Sequence, residues 1–320
     1  MCPLCLGGEN KIMEQKALVS TIKSVVTVVK NLNESRRIFE DGLGLKCIAE
    51  TKANFYSLRN VRCARFARAG EDFGCIDLIE NPKATATIRD KSRPFDYGIL
   101  TLNFRTNSIE KAVAKLESLG AESVSEILQY NVGKPMSEKM MVLPTGERLT
   151  IIQIGDATDD EPFFNEAIAT AGMVVPSMAD AQKFYRDALG LTLSISFQVS
   201  GSPFDTLLGV ATLDKLDFAT FTADGNWTGK VELLELSVPN ETASQTIADG
   251  TQTGYWMISF LTKNLDKVLE NCQSVGAEIA GAPSETSRPF HGKVRTMIIR
   301  SPGGEFVEFI CSADNLSAVS

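Results

Sequence analysis

Two glutamates lie in predicted strands with apolar neighbours on both sides. Glu235 stands in the run VELLEL at 231–236, and Glu308 stands in the run FVEF at 306–309. If both faced one partly dry cavity, burial and like-charge repulsion would raise the pKa of one carboxyl. The pair would then supply an acid and a base for proton transfer at a carbon next to a carbonyl. We therefore predict both as catalytic, although Glu232 competes with Glu235 for the inward position, and outward, solvated or ion-paired carboxylates are the other reading.

His291 is the only histidine of the chain and stands in the polar segment RPFHGKV at 288–294. Because an imidazole titrates near neutral pH, we predict His291 as a second proton carrier, with plain solvent exposure as the alternative. A metal site with two imidazole ligands is impossible with a single histidine. Motifs of other enzyme classes, such as GxSxG, HExxH and a Walker loop, are absent from the sequence.

A strand rich in aromatic and soft side chains lies between 255 and 260. An apolar or planar ligand could rest on it, although alternation turns about half of the side chains to the other face. We predict these positions as substrate-binding: Tyr255, Trp256, Met257 and Phe260.

The bulk properties are those of a globular protein with two domains. The chain has 320 residues, which suits two domains of about 150 residues. Its net charge of −8 disfavours nucleic acid and acidic membranes as partners. No apolar run is long enough to span a bilayer, and the first residues do not read as a secretory signal. The odd number of cysteines, seven, favours reduced thiols and a cytoplasmic location.

Four stretches repeat one pattern of an apolar strand, a polar break, an amphipathic helix and a glycine. They are residues 25–45, 99–121, 173–191 and 256–277. Further strands follow each helix, so each unit is predicted as β-α-β-β-β. One helix cannot cover both faces of such a sheet, and the units are therefore expected to pair. The helix-closing glycines are predicted to be left-handed: Gly44, Gly120, Gly190 and Gly276.

Two motifs carry a resemblance to a known group. LGL follows the first helix at 43–45 and recurs at 189–191, and SPGGEFVEF at 301–309 gives a turn followed by a glutamate-bearing closing strand. With the paired βαβββ units, they resemble the vicinal oxygen chelate superfamily, which includes glyoxalase I, extradiol dioxygenases, methylmalonyl-CoA epimerase and bleomycin-resistance proteins. The resemblance covers residues 20–312 and implies an α+β fold with four βαβββ units paired into two cup-shaped mixed-sheet domains.

The expected organisation follows from pairing neighbouring units. A flexible tail at 1–20 precedes a structural N-terminal pair at 21–155. A linker at 156–162 leads to the C-terminal pair at 163–313, which would hold the active or binding site, and a second tail follows at 314–320.

The resemblance also implies where a metal would be held in each cup. The N-terminal pair offers Ser24, Asp77, Leu100 or Thr101, and Thr150, and the C-terminal pair offers Thr170, Glu235, Met257 and Glu308. None of these is histidine, so no metal and no other cofactor is predicted, and Thr170 joins the predicted substrate-binding residues.

These observations favour a metal-independent lyase or isomerase that acts by carboxylate acid/base chemistry on a small hydrophobic or aromatic carbonyl compound in the C-terminal cup. One alternative is a non-catalytic protein that sequesters a ligand, as bleomycin-resistance proteins do. Another is a carboxylate-only metalloenzyme related to extradiol dioxygenases. The expected partner is a small molecule, and the sequence leaves open whether two chains form a homodimer.

Overall fold

The structure is a computed structural model that describes residues 17–89, 93–131, 133–158, 164, 167–246 and 248–312. The predicted tails lie largely outside the described residues, as do positions 159–162 of the predicted linker. None of the described helices is long and apolar enough to cross a bilayer.

The first two units each begin with a buried strand that is followed by a helix. The first unit contains β1 (Val19–Val29), α1 (Leu32–Arg37) with a π-helical turn at Ile38–Gly42, β2 (Lys46–Phe55), β3 (Leu58–Ala67) and β4 (Cys75–Glu80). The second contains β5 (Gly98–Arg105), α2 (Ile109–Ser118), β6 (Glu122–Ser123), β7 (Leu128–Asn131), β8 (Pro135–Val142) and β9 (Arg148–Ile154).

The last two units repeat the pattern, and the third has one additional helix, α4. The third unit contains β10 (Thr170–Val174), α3 (Met178–Gln182) with a π-helical turn at Lys183–Ala188, β11 (Thr192–Val199), α4 (Phe204–Leu208), β12 (Lys215–Thr222) and β13 (Lys230–Ser237). The fourth contains β14 (Gly254–Thr262), α5 (Leu265–Ser274), β15 (Glu278–Arg288), β16 (Gly292–Arg300) and β17 (Phe306–Ser312).

The predicted glycine ends of the four helical segments are confirmed. All four glycines have a positive φ, between 68° and 91°. This left-handed conformation turns the chain from each helix back toward the next strand, and glycine adopts it at little steric cost.

The units pair across the chain rather than between neighbours. The strand order of one sheet is β15-β16-β17-β14-β1-β4-β3-β2, so this sheet joins the first and fourth units. The other has the order β11-β12-β13-β10-β5-β9-β8-β6 and joins the second and third units. We call their concave faces the outer-unit cup and the inner-unit cup. The α+β fold with two cups is confirmed, but the expectation that residues 21–155 and 163–313 each form one cup is wrong.

Side-chain alternation divides each sheet into a cup face and a helix-covered face. The helix-covered faces share one continuous apolar cluster with residues of all four units, including Ile76, Leu102, Leu233 and Phe309. Neighbouring positions in the same strands turn toward the cups, where Glu232 and Glu308 lie beside these core residues in sequence. The core thereby fixes which carboxylates face each cup.

Candidate functional site

Glu308 lies in the outer-unit cup with 2% of its surface exposed. Its carboxylate accepts hydrogen bonds from four side chains. The donors are Tyr56 Oη at 2.6 Å, Arg288 Nε at 2.7 Å, Thr296 Oγ1 at 3.1 Å and Ser259 Oγ at 3.2 Å. Because an ionised carboxylate has about four acceptor positions, these contacts use nearly all of its hydrogen-bonding capacity. Its predicted catalytic role stays a prediction, and the structure gives it little room to take a proton.

Asp77 and His291 both contact a second buried arginine of the same cup. Arg65 Nε and Nη2 donate to the two carboxylate oxygens of Asp77, both at 2.7 Å. Nη2 also lies 2.9 Å from Nε2 of His291, which accepts because a guanidinium only donates. Burial and the charge of Arg65 lower the pKa of His291 to about 4. The imidazole is neutral at pH 7, which contradicts the expectation that it titrates near neutrality.

A small recess, partly open to solvent, adjoins these charge pairs and has room for about one water molecule. Glu308, Asp77, Arg288 and His291 contribute its polar lining. The other lining residues are Val26, Phe55, Ile79, Ser259, Pro289, Phe290 and Ile310. The outer-unit cup therefore combines apolar walls with charges that are already paired.

Glu235 does not share this cup. It lies on β13 of the other sheet and is partly exposed. Its Oε2 accepts from the backbone N–H of Met178 at the start of α3 at 2.6 Å, and its Oε1 accepts from Lys215 Nζ at 2.9 Å. The predicted acid/base pair with Glu308 is therefore wrong in its geometry, because Glu235 faces a helix and belongs to a different sheet.

Glu232 takes the inward position on β13. It is 8% exposed, and its Oε2 accepts from Asn103 Nδ2 at 2.8 Å and from Thr170 Oγ1 at 3.1 Å. Burial raises the pKa of Glu232, and the two neutral donors offset part of that rise. A Cβ at Gly172 would lie 3.0 Å from Glu232 Oε1, so glycine makes room for the carboxylate. Glu232 is thus a buried carboxyl held by neutral partners.

Glu138 is a second carboxyl in the inner-unit cup. Tyr130 Oη donates to its Oε1 at 2.8 Å. Burial raises the pKa of Glu138 to about 7, and the negative charge of Glu232 adds to the rise. Two residues further along their strands, Met140 and Leu234 pack in one apolar cluster. Since alternation puts residues i and i+2 on one face, both carboxyls face the same cup.

The additional helix α4 covers the inner-unit cup. Leu207 and Leu208 are buried in the same apolar cluster as Met140 and Leu234. The ring of Phe204, the first residue of α4, lies 5.8 Å from the ring of Tyr130 in the second unit. A helix of the third unit therefore closes over strands of the second, beside the hydrogen-bond partner of Glu138.

The predicted substrate-binding residues do not form one group. Tyr255 is buried, and its hydroxyl donates to the backbone oxygen of Arg148 at 2.7 Å. Phe260 stacks on Phe309 in the core, with 6.0 Å between the ring centres. Trp256 and Met257 pack in the apolar cluster of the outer-unit cup, and Thr170 lies in the inner-unit cup. Two features separate them: the alternation along β14, which a β-bulge at Trp256 interrupts, and the unexpected pairing of units.

The comparisons with known proteins agree with this architecture. The sequence profile of the Glyoxalase/Bleomycin resistance protein/Dioxygenase superfamily matches residues 167–309. The match confirms the resemblance for the third and fourth units, which make up somewhat less than half of the chain. No curated protein matches the chain by sequence.

Solved structures show a similar fold over both halves of the chain. Glyoxalase I from Zea mays is 17% identical with a TM-score of 0.65, over 93% of this chain and 94% of that one. A mutant of the same enzyme gives a TM-score of 0.67 at 17% identity, over 94% and 95%. A candidate dioxygenase from Bacillus subtilis subsp. subtilis strain 168 is 13% identical with a TM-score of 0.61, over 93% and 86%. At this level of identity the likeness concerns the fold alone.

The positions that a superfamily metal would use do not fit one here. In the outer-unit cup they are Ser24, Asp77, Met257 and Glu308, and each carboxylate among them already binds a guanidinium. In the inner-unit cup, Glu232 is the one carboxylate among hydroxyl and amide side chains. Across the described residues, no group of three His, Cys, Asp or Glu side chains could hold an ion. Zinc and iron sites usually need imidazole, thiolate or several free carboxylates.

Sequence reasoning about the superfamily pattern missed the residues that surround the carboxylates. Glu138 lies in the strand PMSEKMMV at 135–142. The sequence indicated it, because it is the one acidic residue of this strand and alternation puts it on the same face as Met140. Arg288 stands in an Arg-Pro-Phe segment that also occurs at 93–95, and this recurrence does not indicate its partner Glu308. The sequence did not indicate Tyr130 or Arg65, because their carboxylate partners lie on the neighbouring strand and the register that pairs them is not visible in the sequence.

Proposed function

We propose that the chain is a metal-independent lyase or isomerase that acts on a small hydrophobic or aromatic carbonyl compound in the inner-unit cup. The observation that carries the proposal is that Glu138 and Glu232 face one apolar cup and are held by neutral donors, Tyr130 for the first and Asn103 and Thr170 for the second. A small molecule is accordingly the proposed partner.

The two carboxyls differ in a way that suits an acid and a base. Glu138, with a pKa of about 7, carries a proton in about half of the molecules at neutral pH. Glu232 has two donors on one oxygen, which favour its ionised form. We assign Glu232 as the base and Glu138 as the acid.

The proposed reaction begins with proton transfer between the two carboxyls and the substrate. Glu232 takes the proton from the carbon next to the carbonyl, and the electron pair of that C–H bond forms a C=C bond. The carbonyl oxygen receives a proton from Glu138, which gives an enol. In an isomerisation, the O–H proton returns to Glu138, and Glu232 gives its proton back to the opposite face of the same carbon or, in an enediol, to the neighbouring carbon. In an elimination, the O–H proton returns to Glu138, the electron pair of the enol forms a C=C bond to the β-carbon, and the β-substituent leaves with its own bonding pair and takes the proton from Glu232. No oxidant or reductant is consumed.

The lining of the cup supports the substrate class. The cluster around the two carboxyls is made of leucine, valine and methionine side chains, so it accepts apolar groups and excludes water. Asn103 Oδ1 is buried without a hydrogen-bond partner among the described residues. That oxygen offers an acceptor for a hydroxyl group of an enol or of the substrate. Because α4 fills the mouth, entry of a substrate requires α4 to move.

Hydrogen exchange at carbon tests the proposal. A panel of small aromatic and aliphatic α-hydroxy and β-substituted carbonyl compounds is incubated in D₂O, and loss of the α-proton signal is followed by NMR. We expect the wild type to exchange at least one compound, and Glu232→Gln and Glu138→Gln to be slower by about 100-fold. Glu235→Gln is the matched control on the opposite face of β13 and retains exchange. Equal exchange in the wild type and Glu232→Gln across the panel refutes the proposal.

A second candidate is non-catalytic binding of a small aromatic ligand at the recess in the outer-unit cup, which has room for about one water molecule as it stands and would have to widen. Phe55 and Phe290 line it, and its charges are already paired. A thermal-shift screen separates the two. Stabilisation lost in Phe290→Ala and kept in Glu232→Gln supports binding in this cup, and the reverse pattern supports the inner-unit cup.

A further inference from the structure

The outer-unit cup carries the same arrangement twice, once from the first unit and once from the fourth. Arg65 on β3 binds Asp77 on β4, and Arg288 at the end of β15 binds Glu308 on β17. Each arginine thus pairs with the closing-strand carboxylate of its own unit. All four side chains are at most 10% exposed, so neither pair is a surface contact.

The aromatic partners of the two arginines are exchanged between the units. The Arg288 guanidinium lies 4.0 Å from the ring centre of Tyr56 in the first unit, and that of Arg65 lies 4.9 Å from Phe290 in the fourth. Tyr56 and Phe290 both have positive φ, 50° and 65°, in the turns that follow β2 and β15. A left-handed conformation costs energy for such bulky residues, and here it brings each ring over the partner unit's arginine.

The charge balance of this arrangement equals that of a metal centre. Asp77 and Glu308 contribute two negative charges, and the two guanidinium groups contribute two positive charges. A divalent ion bound to the same carboxylates would supply the same charge. Both carboxylates stand on the closing strands, in the positions that the superfamily resemblance assigns to metal ligands, and a guanidinium occupies the side of each on which an ion would bind.

We propose that the guanidinium groups of Arg65 and Arg288 take the place of a divalent metal ion. The outer-unit cup is then a rigid structural part of the protein that holds no metal. Removing both guanidinium groups then frees two buried carboxylates. It also frees Nε2 of His291, which Arg65 now engages. Two carboxylates and one imidazole nitrogen are a donor set that Mn²⁺, Fe²⁺ and Zn²⁺ bind. Among the described residues these three side chains do not converge on one point as they stand, so binding requires them to turn into the space that the guanidinium groups leave. The inference is independent of the reaction proposed for the inner-unit cup.

Conversion of the cup into a metal site tests this inference. Wild type and Arg65→Met/Arg288→Met are stripped with EDTA, and thermal melting is followed with Mn²⁺ or Zn²⁺ against Mg²⁺. We expect no saturable shift in the wild type. The double variant should melt lower without metal, because unpaired buried charges are costly, and should rise by about 5 °C at saturating Mn²⁺ or Zn²⁺. Metal analysis should then find one bound ion per chain in the double variant.

Two further variants make the result specific. Arg295→Met removes a surface arginine that binds a carboxylate in a comparable way, since its Nη1 and Nη2 lie 2.8 Å and 2.7 Å from the two oxygens of Asp266. The melting temperature of this variant should not change with metal. Adding Asp77→Asn and Glu308→Gln to the double variant leaves no unpaired charge at this site. This protein should fold, and its melting temperature should not change with metal. If the double variant does not fold, the single variants Arg65→Met and Arg288→Met take its place, with a smaller expected shift.

Either of two results overturns the inference. One is a wild-type protein that takes up one divalent ion per chain and loses it in Asp77→Asn/Glu308→Gln. The other is a folded arginine variant whose melting responds to metal no more than that of Arg295→Met.

Discussion

Glu232 and Glu235 lie three residues apart on β13, and their carboxylates lie on opposite faces of the sheet. Glu232 faces the inner-unit cup and binds Asn103, whereas Glu235 caps the start of α3 through the N–H of Met178. An odd spacing in a strand always divides two side chains in this way. The face that each carboxylate takes decides whether it is available to a substrate or engaged in holding the fold.

Replacing each of these two glutamates by glutamine should therefore have opposite effects on proton exchange and on stability. Glu232→Gln should abolish proton exchange and leave stability at pH 8 equal or higher, because it removes a buried charge and keeps an acceptor oxygen. Glu235→Gln should keep exchange and lose about 0.5–1 kcal/mol, because Lys215 and the helix start lose a charged partner. Urea unfolding and the NMR exchange assay measure the two effects. A loss of exchange confined to Glu235→Gln would reverse the assignment.

The raised pKa of Glu138 makes stability depend on pH. Its folded pKa of about 7 lies above the ordinary value of about 4.3, so the folded state holds the proton more tightly. Its contribution is fully present below about pH 4.3 and is lost as the pH rises to about 7. Across this window we expect Glu138→Gln to gain up to about 3.7 kcal/mol relative to the wild type. Urea unfolding at pH 5 and pH 8 measures it, and an equal difference at both values would contradict the assigned pKa.

Tyr130→Phe should shift the pH dependence upward. The hydroxyl of Tyr130 donates to Glu138 and lowers its pKa, partly opposing burial. Without that donor, the pKa of Glu138 should rise above 7, and the basic limb of the pH–rate profile should move in the same direction. The profile of proton exchange in wild type and variant gives the shift. A shift to lower pH would show that Tyr130 does not stabilise the ionised form.

The single histidine allows a direct test of the outer-unit cup. Because His291 is the only imidazole in the chain, its NMR signals need no assignment by mutation. We expect a titration midpoint near pH 4 in the folded protein and near 6.5 in urea. The folded pKa is the lower one, so the contribution of His291 to stability is lost as the pH falls from about 6.5 to about 4. A folded midpoint near 6.5 would mean that Arg65 and burial do not act on the ring.

Gly172→Ala should disturb the inner-unit cup, because residue 172 lies beside Glu232. The added methyl would lie 2.9 Å from Thr101 Cγ2 and 3.0 Å from Glu232 Oε1, which is closer than van der Waals contact allows. We expect a loss of about 1–3 kcal/mol in unfolding free energy, together with slower proton exchange. Adding Thr101→Ser removes one of the two clashing methyl groups and should restore part of the stability. Full stability in Gly172→Ala alone would mean that the strands shift freely.

The sequence by itself determined the repeating unit. Apolar alternation, amphipathic spacing and helix-closing glycines such as Gly44 and Gly276 are local patterns, and they predicted four βαβββ units and an α+β fold. The single histidine also excluded a site with two imidazole ligands. These conclusions hold because each depends on neighbouring residues or on composition, which folding does not change.

Only the tertiary structure decided which units meet and which charges face each other. Ser24 pairs with Ser259 across most of the chain's length, and the first strands of all four units are similar apolar runs. Local pattern therefore does not distinguish a neighbouring partner from a distant one. The same long-range pairing separated Glu308 from Glu235, brought Glu138 to the cup of Glu232 and placed Arg65 beside His291. Such contacts depend on strand register and sheet curvature, and short-range periodicity specifies neither of these.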